Sequence, residues 1–249
     1  MKNDIVFLIL FLSIFCVHES VIAQKVITYN LEKAINKSES TTLAKVANKI
    51  SYIPLETNSE CLIKDIKRVI SWDNKIFIFD YHNVFVFSID GKFEQKFIIE
   101  GKGPFEVLQV TDVCINETNR KIYAVDPRLN KILVFDDTYK PILEYTTKFP
   151  AKHITPFLDW IAYDNMTIDY ISEDALINVV DSKGKSKYLL NHNRDSKFKI
   201  GLNYVPIQLY SSNNSLFYKD KWCDTIYKVD QYFNVSPYMA LHLGKYKNK

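Results

Sequence analysis

Lys75-Ile76-Phe77-Ile78-Phe79-Asp80 and Lys121-Ile122-Tyr123-Ala124-Val125-Asp126 are two versions of one segment, 46 residues apart. Each is apolar at every position between a lysine and an aspartate. A strand covered on one face alternates apolar and polar residues. These do not alternate, so both faces are expected to be covered. Working outward, Val84-Phe85-Val86-Phe87 is matched 48 residues later by Ile132-Leu133-Val134-Phe135. The pattern weakens but continues in Ile177-Asn178-Val179-Val180 and in Ile226-Tyr227-Lys228-Val229, and Gly91-Lys92 recurs as Gly184-Lys185. Polar clusters punctuate the runs at Asp73-Asn74, Asp90-Gly91, Asp136-Asp137, Ser182-Lys183-Gly184 and 211–215. They mark turns. A repeat of roughly 45–49 residues holding four short strands is the signature of a β-propeller blade, whose middle strands pack against neighbours on both sides.

The predicted fold is therefore all-β, with four blades at about 61–100, 105–148, 151–191 and 202–243. Val26 to Leu31 and Ile50 to Glu56 read as two further strands. Between them lies a polar, Lys- and Ser-rich stretch with a helical turn at Leu43 to Asn48. The reading thus divides the chain into 24–49, an N-terminal strand and linker, and 50–249, the blades. Four blades and two strands predict an incomplete ring that leaves one apolar blade face uncovered. A homo-oligomer or a partner that completes the ring is expected.

Composition narrows the function classes. The chain has 249 residues, 47% of them hydrophobic, which excludes a disordered tail. A net charge of +3 excludes a strongly basic nucleic-acid binder. Against 16 Tyr, 16 Phe and 3 Trp there are only 6 Gly, so Asn and Asp must supply most turns. Lys2 precedes an apolar run from Ile5 to Val17, broken only by Ser13 and too short to span a bilayer as a helix. It ends in Val21-Ile22-Ala23. This is the form of a signal peptide, 1–23, cut after Ala23. Export to the periplasm or cell surface follows. Cys16 offers the alternative of a lipid anchor, although Phe15 is large for that site. Cys61, Cys114 and Cys223 then remain, an odd number without zinc-ligand spacing, and nothing in the sequence selects a disulfide pair.

Tyr52-Ile53-Pro54-Leu55-Glu56-Thr57 and Gly101-Lys102-Gly103-Pro104-Phe105-Glu106 together carry a resemblance. They are similar to motifs of a large family of Gram-negative envelope proteins described as six-bladed, NHL-repeat-like β-propellers. Asp224-Thr225-Ile226-Tyr227 and Leu243-Gly244-Lys245-Tyr246 resemble later segments of the same family. The resemblance covers about 26–246 and implies a fold and an envelope address, with no reaction attached. It also implies that the early strands complete the last blade. Phe105 stands where the family has a glycine.

Chemistry is sparse. Gly101-Lys102-Gly103 is followed by Pro104-Phe105 and not by the helix that a phosphate-binding loop needs, so it reads as a turn between blades. His82, His153, His192 and His242 lack HxH or HExxH spacing, and no GxSxG is present. The sequence calls for no cofactor or metal. An aspartate closes the second strand of a blade at Asp80, Asp126 and Asp220, where it is expected to cap a turn by accepting backbone N–H bonds. Tyr81-His82 and Lys221-Trp222 fall in loops between second and third strands. With Lys102 and Arg128 they form the predicted ligand face, made by the loops 80–84, 101–106, 126–131 and 220–224. Stacking surfaces beside cationic donors suit an anionic glycan or an acidic peptide. The reading is a non-catalytic binding or scaffold module. Its alternatives are a metal-dependent hydrolase or lyase using the central channel, or a truncated, partner-dependent fragment.

Overall fold

The computed structural model describes residues 26–37, 40–165, 177–189, 207–220 and 224–246. The leader expectation, Cys16 and Ala23 lie outside these residues, as do Cys223, Lys221 and Trp222. Among the described residues no helix is long and apolar enough to cross a membrane.

Seventeen strands form four sheets among the described residues. The first blade holds β2 (Arg68–Trp72), β3 (Lys75–Phe79), β4 (Val84–Ser88) and β5 (Phe93–Lys96). The second holds β6 (Asp112–Asn116), β7 (Lys121–Asp126), β8 (Lys131–Phe135) and β9 (Pro141–Thr146). The third holds β10 (Ile154–Phe157), β11 (Trp160–Asp164), β12 (Ile177–Val180) and β13 (Ser186–Leu189). The fourth holds β14 (Ile207–Ser212), β15 (Ser215–Asp220), β16 (Thr225–Val229) and β17 (Val235–His242). Each blade is an antiparallel meander. β1 (Ile27–Asn30) adds to the fourth sheet as a fifth strand, parallel to β17, with Ile27 opposite Met239. The Asn30 side chain accepts the Lys33 N–H and starts the short helix α1 (Leu31–Ile35).

The doubly apolar runs are where the blades meet. Phe77, Phe79, Val84 and Val86 of the first blade pack on Val113, Ile122, Leu133 and Phe135 of the second. Tyr123, Val125, Ile132 and Val134 meet Ile154, Ile161 and Tyr163 of the third. Phe157, Ala162, Ile177 and Val179 meet Leu216, Tyr218 and Val229 of the fourth. Among the described residues no such core joins the fourth blade to the first. The fold is an open β-propeller arc of four blades. The open end is visible in one strand: β6, flanked on both sides, is buried throughout, whereas its counterpart β2 exposes Val69 and Ser71.

Ile50 to Glu56 is not a strand. Pro54 has no N–H to give a ladder, and the segment is held at Glu56, whose N–H donates to Gly91 O at 2.8 Å. Glu56 also accepts the Phe93 N–H at 3.0 Å. Leu55, Cys61 and Ile63 cover Ile78, Phe85 and Phe87, the outward face of the first blade. This dock requires Gly91: its φ is +91°, and a Cβ there would overlap the Pro54 carbonyl. Cys61 and Cys114 are free thiols buried in separate cores, and burial pushes the Cys114 thiol well up.

Asn and Asp do carry tight turns. Asp73-Asn74 and Asn213-Asn214 both have positive φ at both positions, the type I′ hairpin geometry. The turns after the third strands share one device. Asp136, Asp181 and Asp230 each accept the N–H groups two and four residues on, at 2.8–3.0 Å, and Ser88 takes the same place in the first blade. The residue three on has positive φ in all four: Gly91, Tyr139, Gly184 and Phe233. Left-handed backbone strains a non-glycine residue by about 1–3 kcal/mol. Tyr139 offsets it by stacking on Phe97 at 5.2 Å in the first interblade core, and Phe233 by meeting Phe157 and Trp160 edge-on in the third.

Candidate functional site

In each blade the first strand begins where the second ends. Arg68 pairs with Phe79, and Asp112 with Val125. The loops between second and third strands therefore share one face of the arc with the connections that lead into each blade. The 101–106 loop lies on this face. Gly103 N–H donates to Glu106 Oε2 at 2.7 Å, and Glu106 N–H returns to Gly103 O at 3.2 Å. The turn thus folds around its own carboxylate, which occupies the place an anion would need. Phe105 has a left-handed backbone that glycine favours, φ +59°, and gives its N–H to Glu144 Oε2 at 3.1 Å. That bond holds the Glu144 carboxyl below its usual range, and Lys131 at 3.2 Å adds to it.

The connection then runs inward. Leu108 and Gln109 donate N–H to Asp126 Oδ2 at 2.6 and 3.2 Å, while Arg128 and Leu129 donate to Oδ1 at 2.8 and 3.1 Å. Asp80 caps its own turn through His82 and Asn83 N–H. A further member of the series, Asp164, accepts Lys152 and His153 N–H at 2.7 and 2.8 Å. The sequence series lacked it because the connection into the third blade is short: Asp126 to Asp164 is 38 residues, not 46. The side chain of Asp220 lies outside the described residues.

At the inner rim a polar cluster joins three blades. Arg68 of the first blade donates through Nη2 to Asp112 Oδ2 at 3.1 Å and through Nη1 to Val113 O at 3.2 Å. Asp112 also accepts the Ile154 N–H of the third blade at 3.0 Å. Burial pushes the Asp112 carboxyl up from its ordinary value; Arg68 and the Ile154 and Val113 N–H groups oppose this. Beside it, His153 Nδ1 lies 2.8 Å from Asp164 Oδ2, which keeps the proton on Nδ1 when the ring is neutral. Arg68 and His153 are partly exposed; Asp112 and Asp164 are buried. Arg68 and Asp112 gave no signal in the sequence, because they meet only once blades stack.

Of the predicted ligand face, Tyr81 is exposed, with φ +75° and the Lys67 ammonium 4.6 Å above its ring. His82, Lys102 and Arg128 are exposed. Lys102 lies on the turn fastened to the outer strands, and Arg128 on the Asp126 turn. No hydrogen bond, ion pair or ring contact joins any two of these four. Among the described residues no group of three His, Cys, Asp or Glu side chains is placed to hold a metal.

The family described as Domain of unknown function (DUF4934) matches residues 26–249. No curated protein matches the sequence. Among solved structures, a Bacteroides fragilis protein classed as exported superposes with a TM-score of 0.64 at 20% identity, over 87% of this chain and 60% of its own. A Bacteroides vulgatus member of the DUF4221 family gives 0.51 at 10% identity, over 76% of this chain and 61% of its own. The WD40 domain of Neurospora crassa Pan2 gives 0.45 at 11%, over 70% and 52%. The chain thus spans about 60% of the length of the first two, and these likenesses are of fold.

Proposed function

This chain belongs to the DUF4934 family, and on that premise we propose that it is a non-catalytic binding module of the cell envelope, built on a propeller of the six-bladed, NHL-like kind, that takes a carboxylate-bearing ligand on its loop face. One observation carries the reading. The strand-end carboxylates of this face, Asp80, Asp112, Asp126 and Asp164, are buried and occupied by N–H donors, whereas Arg68, His82, Lys102, Arg128 and His153 are exposed or partly so. Lys102 and Arg128, exposed above these buried carboxylates, are the cations of the face that can meet a ligand's carboxylate, whereas Arg68 is already paired with Asp112. The face is not uniform, since Asp65 engages Lys67. Guanidinium groups give directional pairing to a carboxylate, and lysines add attraction without geometry. The leader-like 1–23 and the Bacteroides fragilis neighbour classed as exported support an envelope address.

The test is binding of polygalacturonate and of poly-glutamate, with neutral dextran as control, to wild type and to Arg128→Ala and Trp222→Ala at two salt concentrations. The expected result is salt-sensitive binding of at least one polyanion, weakened about three- to tenfold by Arg128→Ala. Equal binding by wild type and both variants at both salt concentrations would place the ligand elsewhere.

The His153–Asp164 pair favours a second reading, an enzyme working at the inner rim with His153 as a base oriented by Asp164. Turnover of a bound polyanion that His153→Gln abolishes without loss of binding would replace the first reading with this one.

A further inference from the structure

The hairpin turns between first and second strands lie at the opposite end of the blades from the loop face, because β7, β11 and β15 each run from one to the other. On that side the turns of the second, third and fourth blades enclose an open cleft of about 210 Å³ at the inner rim, where β6, β10 and β14 lie side by side. Glu117 and Thr118 line it from the second blade, Pro156 and Leu158 from the third, Ser212 and Asn214 from the fourth. Hydrogen bonds preform its walls. Buried Asn116 donates through Nδ2 to Leu158 O at 3.0 Å and to Trp160 O at 3.2 Å, and its Oδ1 accepts the Thr118 N–H at 3.0 Å. Ser215 Oγ donates to Asn213 O at 3.4 Å within the type I′ turn of the fourth blade. A cleft already held open in this way costs a ligand little ordering.

We propose that this cleft holds one amino-sugar residue with its ammonium towards Glu117. Glu117 is the one charged lining residue; it is exposed, and its carboxylate makes no hydrogen bond or ion pair with the described residues. The cation of its own turn, Arg120, is committed elsewhere: Asp73 holds it at 2.9 Å and Asp137 at 3.3 Å, over the ring of Trp72. Asp159, exposed on the neighbouring turn, adds to the negative potential. Such a site repels a carboxylate and attracts an ammonium. The rest of the lining fits a sugar ring. The Thr118 and Ser212 hydroxyls and the Asn213 and Asn214 amides make no hydrogen bond to the described residues, and they can both give and accept bonds with ring hydroxyls. Pro156 and Leu158 offer apolar surface to ring C–H groups. Ligand pockets for drug-sized molecules run from about 300 Å³, so this cleft suits a single ring. The inference is independent of the loop-face reading, since it concerns the other side of the arc and a ligand of opposite charge.

The experiment is saturation-transfer NMR on the full chain below neutral pH, where the sugar amine is charged, with glucosamine, glucose, N-acetylglucosamine and Nα-acetyl-lysinamide as probes. It is repeated on Glu117→Gln and Ser212→Val. Glucosamine should bind about threefold or more tighter than either neutral sugar, in a salt-sensitive way, and Glu117→Gln should remove that preference. Ser212→Val, which deletes a hydroxyl and narrows the cleft, should weaken glucosamine about threefold or more, and acetyl-lysinamide, which has the ammonium without the ring, should bind more weakly than glucosamine. Both variants should unfold within about 2 °C of wild type, because neither side chain has a protein partner to lose. That readout separates a lost site from a lost fold. The proposal is overturned by no glucosamine binding up to concentrations on the order of tens of millimolar. It is equally overturned by glucose binding as well as glucosamine, by a preference that survives Glu117→Gln, or by acetyl-lysinamide binding as tightly as the sugar.

Discussion

Asp126 is fully buried, yet it has no cationic partner in its core; its carboxylate sits among four main-chain N–H groups. Hydrogen bonds to a charged acceptor contribute a net of about 1.5–3 kcal/mol each, and removing the acceptor orphans the donors. Asp126→Asn keeps one oxygen but turns amide hydrogens towards one pair of donors. It is expected to cost about 3 kcal/mol or more in urea unfolding, and Asp126→Ala at least as much. A loss under about 1 kcal/mol would mean the turn is held mainly by its backbone. The same logic explains why Asp80 and Asp126 leave Lys102 and Arg128 exposed, whereas Asp112 holds Arg68.

At the scale of an element, the turn after the third strand of the second, third and fourth blades is a self-contained unit: a side-chain acceptor, two N–H donors and a left-handed residue. Its acceptor is Asp136 or Asp230 where the carboxyl titrates low. Slight desolvation pushes both up, but the bonds from Thr138 and Lys140, and from Asn234 and Tyr232, outweigh it. Because the folded values lie below the ordinary carboxylate value of about 3.9, the stabilisation is complete above that pH and is lost as pH falls through the folded values. In the first blade the Ser88 hydroxyl accepts one of the two bonds, from Lys92 N–H, and donates to Asp90, so a hydroxyl can hold this turn shape. Asp136→Ser/Asp230→Ser should therefore lose about 0.5–1 kcal/mol at pH 7, and the gap to wild type should narrow as pH falls below the ordinary carboxylate value, read by denaturant unfolding across pH. A gap that persists at low pH would show that the effect is packing, not ionisation.

For the whole molecule, the arc leaves the outer face of the fourth blade without a neighbouring blade among the described residues. Tyr210, 59% exposed, stacks on Phe217 at 5.4 Å, and Phe217 meets Tyr238 at 4.9 Å. These rings lie opposite the Leu216–Tyr218–Val229 core, on the side that a further blade would cover. We propose that this aromatic stripe is an association surface, as exposed apolar patches of this kind commonly are. Light scattering of the chain alone is expected to show self-association, and Tyr210→Lys to shift it towards monomer. A monodisperse wild-type monomer would refute this.

The doubly apolar runs were enough, from the sequence alone, to specify blades, because only strands packed on both faces tolerate Ile-Phe-Ile-Phe without alternation. The scarcity of glycine likewise determined that Asn and Asp would fill the type I′ turns, since local backbone preference needs no tertiary partner. Ile50 to Glu56 reads as a strand in the sequence but is not one, because Pro54 cannot extend a ladder and only Leu55 docks on the first blade while Ile50, Tyr52 and Ile53 stay exposed, which periodicity does not record. Asp164 was hidden by a connection of different length. The Arg68–Asp112–Ile154 junction was decided only by tertiary structure: its members come from different blades, and the geometry that pairs them exists only when one blade is laid against the next.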